Sequence, residues 1–280
     1  MNTFLRRLTY RSELKMMARV LGLRRILREQ YFRWARPADG TLTFGVGRIA
    51  GRFHVRTPSE LRNLDPAGGA QHELHLLERL IAEMRPGHVV YDIGANVGLY
   101  AVLLAKAVGE QGRVIAFEPD SESYQHLQEN LKLNGLTNVR TLRKALGEQT
   151  SKSMLYRGEG NADSSLVRSA TGKDLGHELV DVVRGDEFVK TENLPPPRLV
   201  KIDVEGYEYA VLRGLQRTLA HPACELLCCE IHPQLLPPDV TPQTIMDFVQ
   251  SIGYECLDLR PRFDTFHLLT RKAATCPPRN

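Results

Sequence analysis

Acids, glycines and a histidine recur in this chain where apolar runs stop. Residues 89–100 read VVYDIGANVGLY: Asp92 near the end of a β-branched and aromatic run, then Gly94, Ala95, Asn96 and Gly98, then a dense apolar stretch. Residues 113–119 read RVIAFEP and end in Glu118 and Pro119. Residues 199–206 read LVKIDVEG, so Asp203 and Glu205 close a third apolar run. Residues 225–232 read ELLCCEIH, so Glu230 and His232 close a fourth. Carboxylates are costly to bury without partners, so apolar runs that each end in one point to polar work along a common edge.

These runs have the length and residue types of buried strands. A strand, a glycine turn that lets the backbone approach a ligand, and a helix build a nucleotide-type site at the C-terminal edge of a doubly wound α/β sheet. The turn here is Asp-x-Gly-x-Asn-x-Gly, not Gly-x-Gly-x-x-Gly. A pyrophosphate favours the positive end of a helix dipole with no acid beside it, whereas Asp92 suits a ligand with a cationic group. S-adenosylmethionine carries an ammonium and a sulfonium, and no phosphate. Glu118 lies 24 residues beyond Gly94, where an acid at the end of the second strand accepts hydrogen bonds from ribose hydroxyls. Singly, Asp92 also reads as a helix cap and Glu118 as a solvated strand end; in one βαβ unit they read as a ligand site.

Periodicity predicts the elements that hold these residues. Helices are expected over His72–Met84, from Leu99, from Ser121 (as cap) through Leu133, over Glu208–Leu219 and over Thr241–Gly253. Asn138–Leu146 reads as the third strand, and Ala145 near its end is placed to edge an adenine ring. A short strand at Ser153–Tyr156 precedes a polar loop, Gly158–Gly176, with Asn161, Asp163, Ser164 and Ser165; such loops over an α/β site serve as lids or substrate selectors. Asp181–Val189 reads as a strand and turn. Glu255–Leu259 and Phe266–Thr270 read as a closing antiparallel pair. Near the N-terminus, Thr41–Phe44 and Phe53–Val55 form a hairpin-like pair around Gly45, Gly47 and Gly51. His72, Glu73 and His75 lack the His-Glu-x-x-His spacing of zinc proteases and read as surface or lid residues.

Composition bounds the function. The chain has 280 residues, 42% of them hydrophobic, as in ordinary globular proteins, and no apolar run of membrane-spanning length. Its five cysteines (Cys224, Cys228, Cys229, Cys256 and Cys276) lack zinc-ligand spacing; Cys228 and Cys229, inside an apolar strand, read as buried thiols of a reducing compartment. Net charge is +4, yet residues 1–36 alone carry ten Arg or Lys against two acids, interleaved with Leu14, Met17, Leu21, Ile26, Tyr31, Phe32 and Trp34. Such a basic amphipathic segment packs on the core, lies on an anionic membrane, binds nucleic acid or serves as a transit peptide. The expected location is cytoplasmic, with the inner membrane face as the alternative should this segment lie on a membrane.

The segments VVYDIGANVGLY, VIAFEPD, KIDVEGYEYAVLRG and CEIHP, spanning residues 89 to about 233, resemble the FkbM-type family of class I S-adenosylmethionine-dependent methyltransferases. The resemblance implies a Rossmann-like sandwich: a mostly parallel seven-stranded sheet with an antiparallel C-terminal strand. That domain covers residues 71–272, after an N-terminal helix and hairpin extension (1–70) and before a loose tail (273–280). It also implies O-methylation of a hydroxyl on a sugar, glycan or secondary metabolite. Carried over, Asp92, Gly94, Ala95, Asn96 and Gly98 form the methionine-side loop, Glu118 and Pro119 the ribose side, Ala145 the adenine edge, and Asp203 faces the methyl group. Asp203, Glu205 and His232 are the candidate bases; His232 also reads as a strand-end histidine held by backbone, and Asp203, Glu230 and His232 as a metal set. No resident metal is expected, and a hydroxylated or saccharide acceptor, in solution or lipid-linked, is the expected partner. An RNA or protein methyltransferase shares the cofactor half, but Asp-Val-Glu-Gly is not an Asn/Asp-Pro-Pro-aromatic base clamp. A non-catalytic binding module on the same scaffold is the third reading.

Overall fold

The computed structural model of the chain describes residues 24–65, 70–158, 164–167, 176–262 and 265–273. Expectations for residues 1–23, Asn161, Asp163, Cys276 and the tail beyond Ala273 lie outside the described residues. The N-terminal part of the chain holds α1 (Arg24–Ala35), β1 (Thr41–Val46), β2 (Ile49–His54) and α2 (Pro58–Leu64), followed by α3 (Ala70–Glu83). A βαβαβ run follows: β3 (Val89–Ile93), α4 (Leu99–Val108), β4 (Arg113–Phe117), α5 (Ser121–Leu133) and β5 (Val139–Leu142). Next come β6 (Ala145–Gly147), β7 (Ser151–Tyr156), β8 (His177–Arg184) and α6 (Gly185–Thr191). The second half holds β9 (Leu199–Ile202), α7 (Glu208–Gly214), α8 (Gln216–Ala220), β10 (Leu226–Ile231), α9 (Pro242–Ser251), β11 (Tyr254–Arg262) and β12 (Thr265–Lys272).

One seven-stranded sheet carries the fold, in the order β11-β12-β10-β9-β3-β4-β5. The strands from β10 to β5 are parallel; β12 runs antiparallel to β10, and β11 antiparallel to β12. This is the mostly parallel sheet with an antiparallel end expected of a class I methyltransferase. Strand order reverses between β3 and β9. The loops after those two strands therefore leave in opposite directions and open a crevice above the C-terminal strand ends.

Alternation along the buried strands sorts the core into two layers. Val90, Val114, Leu199 and Leu226 face α3, α4 and the β1–β2 hairpin, whose Phe44 and Phe53 are buried in the same layer. Tyr91, Ile93, Phe117, Val200 and Ile202 face α7, α8 and α9. Cys228 and Cys229 are free and buried, as their apolar neighbours predict; Cys224 is buried as well, while Cys256 is exposed. No helix among the described residues is long and apolar enough to cross a membrane.

Four elements differ from the sequence reading. The expected third strand divides: the Lys144 N–H turns back to the Leu142 carbonyl (2.9 Å), and β6 leaves to pair with β8 in a separate three-stranded sheet. Residues 185–191 are helical rather than strand and turn, with Asp186 and Glu187 favourably placed in the first turn. The helix expected over Glu208–Leu219 breaks in two, because Gly214 packs so close to β6 that a β-carbon there would lie 1.9 Å from the Gly147 carbonyl oxygen. Asp120, not Ser121, caps α5, accepting from the Glu122 and Ser123 N–H groups (3.0 and 2.8 Å).

Candidate active site

Gly94 leaves β3 with φ +78°, and a β-carbon there would sit 1.8 Å from the Asp203 carbonyl oxygen. The ends of β3 and β9 thus meet backbone to backbone, an approach reserved for glycine. Two residues on, the Asn96 N–H donates to Glu118 Oε2 (2.7 Å), while the Asp120 N–H donates to Glu118 Oε1 (2.9 Å). Glu118 therefore clamps the turn after β3 to the turn after β4. Burial pushes its carboxyl up to about 8, against the opposing pull of those two donors. Beside it, Asn96 Oδ1 is buried with no hydrogen-bond partner among the described residues.

An open cleft lies above these turns. Gly94, Asn96, Glu118, Pro119, Ala145, Asp203 and Glu205 all line it. The polar loop contributes Ser164 and Leu166; between them the Ser165 hydroxyl donates to the Glu205 carbonyl, so this part of the loop does reach the site. Ala95 and Gly98 stand behind the cleft wall. The Ala95 N–H is spent on the Phe117 carbonyl (2.9 Å), and Gly98 caps α4.

Asp92 also stands behind the wall, wholly buried. In the parallel ladder it lies directly beside Lys201, whose Nζ is 3.5 Å from Asp92 Oδ1, 3.3 Å from Asp203 Oδ2 and 4.7 Å above the Tyr100 ring. Burial alone would lower the Lys201 pKa, but Asp203, Asp92 and more distant acids outweigh it and keep the ammonium charged. Burial pushes Asp92 upward, with Lys201 opposing. The cation that answers Asp92 is therefore the protein's own. Sequence reasoning passed over Lys201; its one signal is a lysine inside a four-residue run whose other members are apolar, LVKI. The same buried pocket holds Glu73, which accepts from the Tyr100 hydroxyl and is neither a surface nor a lid residue.

His232 sits just beyond β10, 6% exposed. Its Nδ1 is 2.6 Å from Glu208 Oε1, and that oxygen also accepts from the Gly206 N–H (2.8 Å). Glu208 itself is wholly buried at the start of α7, a second partner the sequence reading missed. His232 Nε2 has looser neighbours: Glu205 Oε2 at 3.4 Å, Glu230 Oε1 at 3.8 Å and Asp203 Oδ1 at 4.0 Å. Burial pulls the imidazole pKa down, but the Glu208 hydrogen bond and the Glu205 and Asp203 charges hold it up at about 10. With only side chains around it, the ring keeps its proton at neutral pH. Glu205 reaches this position through a left-handed backbone, φ +51°. Glu230 belongs elsewhere: Thr265 donates to one of its oxygens and His267 Nε2 lies 2.9 Å from the other. The set Asp203, Glu230 and His232 is therefore not the one that converges; Asp203, Glu205 and His232 do.

A doubly wound sheet with this strand order, a glycine approach at its switch point and an acid clamped at the second strand end defines a class I methyltransferase fold. The sequence profile of the FkbM methyltransferase domain matches residues 92–256, and the chain belongs to that family. It is 30% identical over 196 residues to the hexuronic acid methyltransferase AglP of Haloferax volcanii, covering 70% of this chain and 76% of that protein. To Methyltransferase 1 of Beauveria bassiana it is 28% identical over 144 residues, 45% of this chain and 57% of that protein. The crystal structure of methyltransferase FkbM from Methylobacillus flagellatus aligns at 21% identity with a TM-score of 0.46, over 66% of this chain and 44% of that one. The chain is thus an S-adenosylmethionine-dependent methyltransferase. Its residues fit that donor: Glu118 and Asn96 line the cleft side by side, and Asn96 Oδ1 is a buried acceptor with no partner among the described residues.

Proposed function

We propose that this chain O-methylates a hydroxyl of a saccharide, within the wider class of hydroxylated metabolites. The observation that carries the reading is that Asp203 and Glu205 line the same cleft as the clamped Glu118, with His232 close behind Glu205 (3.4 Å). A relative whose name specifies hexuronic acid supports the choice of a sugar. When bound, S-adenosylmethionine supplies a methyl group on a positively charged sulfur. Glu118 accepts the ribose hydroxyl hydrogens, and Gly94 lets the methionine portion lie against backbone. Pro119 lies on the ribose side and Ala145 borders the adenine. Asp203 and Glu205 orient the acceptor hydroxyl, and a carboxylate oxygen there, Glu205 Oε2, takes up its proton as the new C–O bond forms. His232, pinned through Nδ1 by Glu208, holds those carboxylates toward the acceptor.

The direct test is transfer of labelled methyl from S-adenosylmethionine to a panel of free uronic acids and oligosaccharides, with the product examined by NMR for a methyl ether. Methyl ethers on sugar hydroxyls are the expected product. Label found only in RNA, protein or a sugar carboxyl group would contradict the assignment.

A further inference from the structure

Asp203, Glu205 and His232 offer one ligand atom each, and the three atoms lie within 4.8 Å of one another. We propose that they form a divalent-cation site that holds the acceptor hydroxyl, an inference that rests on the methyltransferase reading of the same cleft. Three features of the geometry point to it. First, the histidine is oriented as a ligand: Glu208, wholly buried, takes Nδ1 at 2.6 Å and leaves Nε2 facing the acids, where a cation would displace the Nε2 proton, the arrangement in which a carboxylate orients a metal-binding imidazole. Second, Lys201 is 3.3 Å from Asp203 Oδ2, so Oδ1 is the oxygen turned toward His232. Third, the contacts from Nε2 to Glu205 Oε2 (3.4 Å) and Asp203 Oδ1 (4.0 Å) are longer than hydrogen bonds of this type. Ligands on one octahedral face at about 2.1 Å from a cation stand about 3 Å apart, so a small contraction closes the site.

Two carboxylate oxygens and one imidazole nitrogen suit a first-row divalent ion and leave coordination positions toward the cleft. With the cation bound, Glu205 serves as a ligand, the acceptor oxygen is another, and water replaces Glu205 Oε2 as the group that takes up the hydroxyl proton. The oxygen lone pair forms the C–O bond, and the C–S electron pair returns to sulfur, which leaves as a neutral thioether.

The test uses the full chain, stripped with EDTA and dialysed, titrated with Mn²⁺ while the free-ion signal is followed by electron paramagnetic resonance. The expected result is one saturable site, weakened about tenfold or more in Glu205→Gln and in Asp203→Asn, with melting curves showing both variants folded. S-adenosylmethionine binding, measured by calorimetry on the same stripped protein, is expected to persist. No saturable Mn²⁺ site in wild type, or equal affinity in both variants, overturns the cation site. If the donor still binds in that case, only the cation proposal falls; if the donor fails to bind as well, the reading of the cleft falls with it.

Discussion

Lys201 and Glu118 show how single buried charges divide the labour of the site. Lys201 is 5% exposed between Asp92 and Asp203, so removing its charge strands two carboxylates, one of them wholly buried. Lys201→Met is expected to destabilise the protein by about 3 kcal/mol, the range for breaking a buried ion pair from one side. Urea unfolding would measure it, and an unchanged midpoint would contradict the pairing. Glu118 makes a pH prediction. Its folded carboxyl titrates at about 8, above its ordinary value of 4.5, so the native state binds more protons than the unfolded chain between those limits. Stability therefore falls as pH rises through that window. Donor binding behaves oppositely, because ribose hydroxyls donate to the ionised form: affinity is expected to climb as pH rises toward about 8 and level off above it, and Glu118→Gln to flatten the climb. A wild-type binding profile already flat from pH 6 to 9 would contradict it.

Elements place these residues through two close backbone approaches. At Gly94, a β-carbon would meet the Asp203 carbonyl and the residue would be strained at φ +78°, so Gly94→Ala is expected to abolish donor binding in calorimetry. Retained affinity would show that the β3–β9 junction has room to spare. At Gly214, alanine would push α7 off β6; a loss of about 1–3 kcal/mol is expected in thermal unfolding. The β3–β4 part of the cleft wall was legible in the sequence because it is local: strand, turn and helix follow one another within residues 89–120, and Gly94, Asn96, Glu118 and Pro119 all line the cleft. What stayed hidden depends on contacts between distant segments. Lys201 meets Asp92 across a ladder, Glu208 meets His232 across 24 residues, and β6 changes sheets while its alternation continues undisturbed. Asp92 illustrates the limit: its type and spacing mark the turn correctly, while its charge is answered from another strand.

Across the whole molecule, the N-terminal extension and the methyltransferase sheet share one apolar layer. Phe44, Phe53, Val55 and Leu61 pack in the same cluster as Val90, Val102 and Val114. Deletion of residues 1–57 is therefore expected to expose that layer and leave a protein that aggregates or melts far lower; a truncated chain with an unchanged melting curve would show the layer to be dispensable. The basic surplus of residues 1–36 has its own check, co-sedimentation of the full chain with anionic vesicles, where binding that survives deletion of residues 1–23 would rule against membrane contact through that stretch. The central claim is that the ends of β3 and β4 hold S-adenosylmethionine. Isothermal titration of the donor into wild type and into Glu118→Ala tests it most directly. The account predicts wild-type binding near the micromolar range, about −8 kcal/mol, and a clear loss in the variant while its melting curve shows it folded. Equal affinity in both proteins, or no binding by a well-folded wild type, would contradict it.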